Sequence, residues 1–137
     1  MRKYLVLAIA ASSMLFGCSD PTSADIASSS AGAWSIREQV PGNYFGMTLV
    51  ANGTELSGTG SFVGEAGPGG NSTVDGGVTN GIIHLDFKLY RELPGGVDTV
   101  TSHFTGQLFL RQLVGTLWVG TQSPDNPPGQ TVFVRSN

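Results

Sequence analysis

Two carboxylates and an imidazole are the residues of this chain whose types and spacing suit shared chemistry. Asp75 and Asp86 flank Asn80-Gly81, a dipeptide that favours a two-residue hairpin turn. A hairpin closed there sets Asp75 directly opposite Asp86, and like charges so placed repel. The next hairpin spans Glu92 to Asp98 and admits two registers. One brings His103 opposite Asp86, the other opposite Lys88. In the first, Asp75, Asp86 and His103 form a row across three strands, with His84 nearby. Two carboxylates and an imidazole can hold a divalent cation, so the row is a weak candidate metal site. The plainer reading is a solvated sheet face on which Lys88 and His103 offset the carboxylates.

Nothing here frames an enzyme. Opposed strand residues sit only about 5 Å apart at Cβ, and no cleft is indicated around these carboxylates for glycoside chemistry. Ser, His and Asp all occur, but in no frame such as G-x-S-x-G. The run GEAGPGGN at 64–71 lacks the lysine and helix start of a phosphate loop. No cofactor is implied. The expected class is a non-catalytic binding or interaction module.

The elements that position these residues are strands. Charged residues make up 12% of the 137 and glycine contributes 20, which fits short strands and tight turns better than helices. From Ala33 onward side chains alternate with period two, and no segment shows a helical period. Strands are expected near 33–39, 43–51, 54–63, 72–79, 82–91, 98–110, 113–121 and 130–135. A turn at Asn52-Gly53 pairs Leu49 with Leu56 and Met47 with Gly58. One at Asn80-Gly81 pairs Val78 with Ile83, Gly76 with Leu85 and Val74 with Phe87. One at Arg111-Gln112 pairs Leu110 with Leu113 and Phe104 with Val119. In each the apolar sets meet on one face, as a one-sided sheet requires. The fold class is therefore all-β: an eight-stranded antiparallel up-and-down meander, closed as a barrel or folded as a β-sandwich.

The expected inward set is Trp34, Ile36, Phe45, Met47, Leu49, Leu56, Phe62, Val74, Val78, Ile83, Leu85, Phe87, Leu89, Phe104, Leu108, Leu110, Leu113, Leu117, Val119, Val132 and Val134. Inward glycines 58, 60, 76, 106 and 115 would let the strands coil, as closure needs. Phe109, Trp118 and Phe133 alternate outward, the last two paired across the final hairpin. A row of outward aromatics marks a protein-contact face. The interior of eight strands is just wide enough to fill itself or to hold one small apolar ligand. The Gly-rich run and the Pro-stiffened 122–129 segment would sit at the barrel ends.

The N-terminal segment reads MRKYLVLAIAASSMLFGC. Arg2 and Lys3 precede an apolar run too short to be kept as a spanning helix, which is the pattern of a signal peptide over residues 1–17. Leu15-Phe16-Gly17-Cys18 resembles the lipobox of bacterial lipoproteins. That resemblance implies diacylglycerol on the Cys18 thiol, cleavage after Gly17, and acylation of the new amine. Two or more acyl chains give stable anchoring. Ser19 rather than Asp follows the cysteine, which in enteric-type lipoproteins implies the outer membrane. Residues 18–31 are small and polar and read as a flexible tether, leaving 32–137 as the barrel domain. Without Arg2 and Lys3 the chain carries five basic and ten acidic side chains. That balance argues against nucleic-acid binding and against docking on anionic headgroups. A lone cysteine forms no internal disulfide.

Gly32-Ala33-Trp34 opens the first strand and Arg135 sits in the last. This resembles the calycin pattern, shared by lipocalins and avidins, in which a Gly-x-Trp at the barrel's start packs beside an Arg or Lys from its end. Leu56-Ser57-Gly58-Thr59-Gly60 and Phe104-Thr105-Gly106-Gln107-Leu108 are similar to the avidin rhythm. The resemblance spans residues 32–135 and implies a closed barrel. The avidin ligand shell does not carry over, because the other tryptophan, Trp118, points away from the inward set; biotin is not implied.

Overall fold

A computed structural model describes residues 20–36, 44–64, 67–120 and 130–136. The order is α1 (Ser23–Ser30), β1 (Gly32–Ile36), β2 (Tyr44–Asn52), β3 (Glu55–Gly64), β4 (Gly67–Thr79), β5 (Ile82–Leu93), β6 (Gly96–Phe109), β7 (Gln112–Val119) and β8 (Thr131–Arg135). Each strand pairs antiparallel with the next, and β8 pairs with β1, so the meander closes into a barrel. Closure leaves no free edge.

Local chemistry sets the turns. Asn80 and Gly81 both have positive φ, 51° and 78°, as a type I′ hairpin needs. The three pairs expected from that turn are present. At the other two tight turns the turn moves by one residue and the partners shift by two. The β2–β3 turn is Gly53-Thr54, so Leu49 faces Gly58 and Ala51 faces Leu56. The β6–β7 turn is Leu110-Arg111, so Phe104 faces Leu117 and Leu108 faces Leu113. A shift of two residues keeps every side chain on its face, and the core survives it. Trp34, Met47, Leu49, Leu56, Val74, Val78, Ile83, Leu85, Phe87, Phe104 and Leu113 are all buried.

Four expectations are corrected. Leu110 lies in the turn and is 85% exposed. Val119 ends its strand at the barrel rim and is also exposed. In β8, Phe133 takes the interior in place of Val132 and Val134, because Phe133 pairs with Leu113 and not with Trp118. The expected loop at 64–71 is mostly strand, with β4 beginning at Gly67. The signal peptide, Cys18 and the 122–129 segment lie outside the described residues.

The flexible tether is also corrected, since Ser23–Ser30 is a helix. Its sequence, SADIASSS, has weak propensity and only two hydrophobic residues beyond its N-terminal alanine. Tertiary docking supplies what propensity lacks. Ala27 and Ser30 are fully buried, and Ile26 packs against the core. Thr22 opens the helix with a reciprocal cap: its hydroxyl oxygen accepts from the Asp25 amide at 3.2 Å, and its amide donates to the Asp25 carboxylate at 2.9 Å. Thr22→Ala is expected to cost about 1 kcal/mol, read as a lower urea midpoint. The Thr22 hydroxyl, then its amide, holds the Asp25 carboxyl below its ordinary pKa. That contribution is complete above the usual carboxylate range and fades as pH falls through the lowered value. The gap between Thr22→Ala and the parent should therefore narrow in acid.

Candidate functional site

The two ends of the barrel differ. One end gathers α1 and the turns at Gly53-Thr54, Asn80-Gly81 and Leu110-Arg111; Ile26 lies against Gly81. Its half of the interior is filled by Leu49, Leu56, Val78, Ile83, Leu85 and Leu113. The other half is lined by larger rings that do not close it. There Ile36, Phe45, Phe62, Phe87, Leu89 and Leu117 surround a cup of about 220 Å³, with Tyr44 and Val63 at its lip. Phe133 sits at the aromatic hub beneath it. Its centroid lies 5.3 Å from Phe104, 6.0 Å from Phe45 and 6.3 Å from Phe87, within the range of favourable ring pairs.

Two serines interrupt this apolar half. Ser102 lines the cup and is 5% exposed, and Ser72 is 2% exposed. The Ser72 hydroxyl has no hydrogen-bond partner among the described residues. A buried hydroxyl left unpaired costs free energy.

A larger depression, about 390 Å³, lies over β1, β2 and β3 and is wide open. Among the described residues its lining includes Ala33, Thr48, Thr59 and Ser61 but no Asp, Glu, Lys, Arg or His.

The β5–β6 register selects the first of the two alternatives. Asp75 faces Asp86, and Asp86 faces His103. The row predicted for a metal therefore exists as strand positions, but only two of its members touch. His103 Nδ1 lies 2.5 Å from Asp86 Oδ1. Among the described residues no three His, Cys, Asp or Glu side chains group to hold a metal ion. His84 turns to the Thr105 hydroxyl at 3.2 Å. The His103–Asp86 pair sits on the outer wall with side chains 32% and 66% exposed, where such a pair contributes little.

Of the three expected contact aromatics, Phe109 is 65% exposed and Phe133 is buried. Trp118 is half-buried, with the His103 ring tilted 31° against it at 5.6 Å. The outward face therefore holds two of the three.

At the helix end, the residues behind the calycin resemblance meet. Trp34 and Arg135 face each other across β1 and β8, and the guanidinium lies 4.8 Å from the ring centroid. Trp34 Nε1 donates to the Ser30 carbonyl at 2.8 Å. Arg135 Nη2 donates to the carbonyls of Ser29 and Ala31 at 2.6 and 3.0 Å. The last carbonyls of α1, which no helical amide can reach, thus find donors on the barrel.

Compared with known proteins, the chain matches no family model, no curated protein and no solved structure.

Proposed function

We propose that this chain is a lipid-anchored lipoprotein of the bacterial cell envelope whose barrel holds a small apolar molecule at its open end, without catalysis. The observation that carries the reading is the cup of about 220 Å³ walled by Phe45, Phe62, Phe87, Leu89 and Leu117. Its volume is below the roughly 300–1,000 Å³ of drug-sized sites, so it suits a slender or compact ligand. Of the two hydroxyls in its lining, Ser102 is buried and Tyr44 is exposed at the lip, so the interior favours a ligand with a single polar atom. The LFGC sequence ending at Cys18 supports the anchor, and Ser19 favours the outer membrane. The barrel is apolar inside and carries Asp75, Asp86, Lys88 and His84 on its outer wall. Membrane-spanning barrels have the reverse arrangement, so the lipid is the attachment this reading requires.

The second reading is a structural lipoprotein with a protein-contact face around Trp118 and no small ligand. Burial of Phe133 and the His103 ring over Trp118 weaken that face.

The test is titration with N-phenyl-1-naphthylamine, a neutral apolar fluorophore. Saturable one-to-one binding is expected. Leu117→Trp, which fills the cup, is expected to weaken it at least about tenfold, the equivalent of roughly 1.4 kcal/mol. Absence of saturable binding by the folded protein would remove the ligand reading.

A further inference from the structure

The β6–β7 turn presents Phe109, 65% exposed, followed by Leu110, 85% exposed. Leu110 also has a φ of 56°. The left-handed region is unfavourable for a bulky residue, and glycine or asparagine occupies it far more easily. Asn80 does so in the β4–β5 turn of this same barrel. Among the described residues nothing rewards leucine at position 110, because its side chain is almost wholly exposed. The position combines a strained backbone with a large apolar side chain in water.

The turn's place in the molecule suggests what covers it. Arg135 donates its amide to the Arg111 carbonyl and its guanidinium to Ser29 and Ala31. The tip therefore stands at the barrel end that α1 crosses. α1 begins immediately after Thr22, and four residue steps from Cys18 to Thr22 reach at most about 14 Å. An acyl group on Cys18 would hold this end, and not the open cup, near the bilayer.

We propose that Phe109 and Leu110 insert into the interfacial layer of the bilayer as a second contact beside the lipid on Cys18. This rests on the lipoprotein reading above. Two contacts at one end orient the barrel with its cup facing away from the membrane. The acidic residues of that end, Asp20, Asp25 and Glu55, outnumber its Arg111 and Arg135, so apolar burial and not attraction to anionic lipid drives the contact.

The test places a nitroxide on Leu110→Cys and, separately, on Val97→Cys at the opposite end, where Val97 is 66% exposed. Both positions are so exposed that the label displaces little packing. The mature full-length protein is reconstituted in vesicles of phosphatidylcholine and phosphatidylethanolamine, and its mass is measured. The expected result is an acylated Cys18 and a label at 110 several-fold more accessible to oxygen than to a water-soluble nickel complex. The label at 97 should keep its accessibility to nickel. An acylated protein whose label at 110 is as wet as that at 97 overturns the insertion and leaves the anchor standing. A dry label at 97 overturns it too, since the other end then meets the lipid. An unmodified Cys18 in the mature mass overturns the anchor reading itself, and the insertion with it.

Discussion

Trp34→Ala is expected to cost about 3–5 kcal/mol, a large part of the roughly 5–15 kcal/mol that holds a domain of this kind together. The residue is 1% exposed and joins three things at once. Its ring fills the helix end of the interior, its face carries the Arg135 guanidinium, and its N–H holds the Ser30 carbonyl. Removing the ring opens a cavity, takes the cation–π partner from Arg135 and leaves a helix C-terminal carbonyl without its donor. Trp34→Phe separates these effects. It keeps most of the ring and loses the N–H, so it should cost about 1–3 kcal/mol through the unpaired carbonyl. Urea unfolding measures both values. Limited proteolysis should show cleavage within 23–30 in both variants before the barrel is cut, because α1 depends on those donors. A loss below about 1 kcal/mol for Trp34→Ala would mean that the helix end is held by something other than this contact.

The fold class was legible because alternation is a strong signal and survives small errors. One turn was placed one residue early and another one residue late, yet the resulting two-residue shift of partners returns each side chain to the same face. Leu49 and Phe104 kept the interior although their partners changed. Alternation failed where it had no contrast. Val132, Phe133 and Val134 are three apolar residues in a row, so period two cannot choose between them. The choice was nevertheless available from Arg135. A side chain that packs on Trp34 must face inward, and the residue two before it, Phe133, then faces inward as well. The helix was not legible by the same means. Eight residues rich in serine give no stripe, and their stability comes from Trp34, Arg135 and the barrel end, which are remote in sequence. Of the candidate site residues, Asp86 and His103 were brought together as one register required. Asp75 joined them in strand position but not in contact. The apolar cup could be posed as a question but not answered, because whether phenylalanines meet across a barrel depends on its girth.

That girth is set partly by glycine, and Gly115→Val should show it most sharply. Gly106 and Gly115 face each other across β6 and β7. A Cβ on Gly115 would overlap the Thr105 carbonyl oxygen and lie 2.5 Å from the Gly106 Cα. One on Gly106 would lie 2.5 Å from both the Val114 carbonyl oxygen and Phe104 Cζ. The obstruction at Gly115 is backbone on both counts, so no rotamer change relieves it. The two strands would have to separate, and in a closed barrel that strain passes to every neighbouring pair. Overpacking a core typically costs about 1–3 kcal/mol; against backbone, and with two methyl groups beyond the Cβ, Gly115→Val should exceed about 4 kcal/mol. Gly95→Ala is the control. It lies in the β5–β6 turn, and a Cβ there meets nothing within 4 Å. It should leave stability unchanged or raise it by up to about 1 kcal/mol through the unfolded chain. Paired urea melts of the two variants distinguish close approach from the general cost of losing a glycine. Similar, small changes in both would mean that the wall can widen at Gly115, and the cup at the open end would then owe nothing to a narrow waist below it.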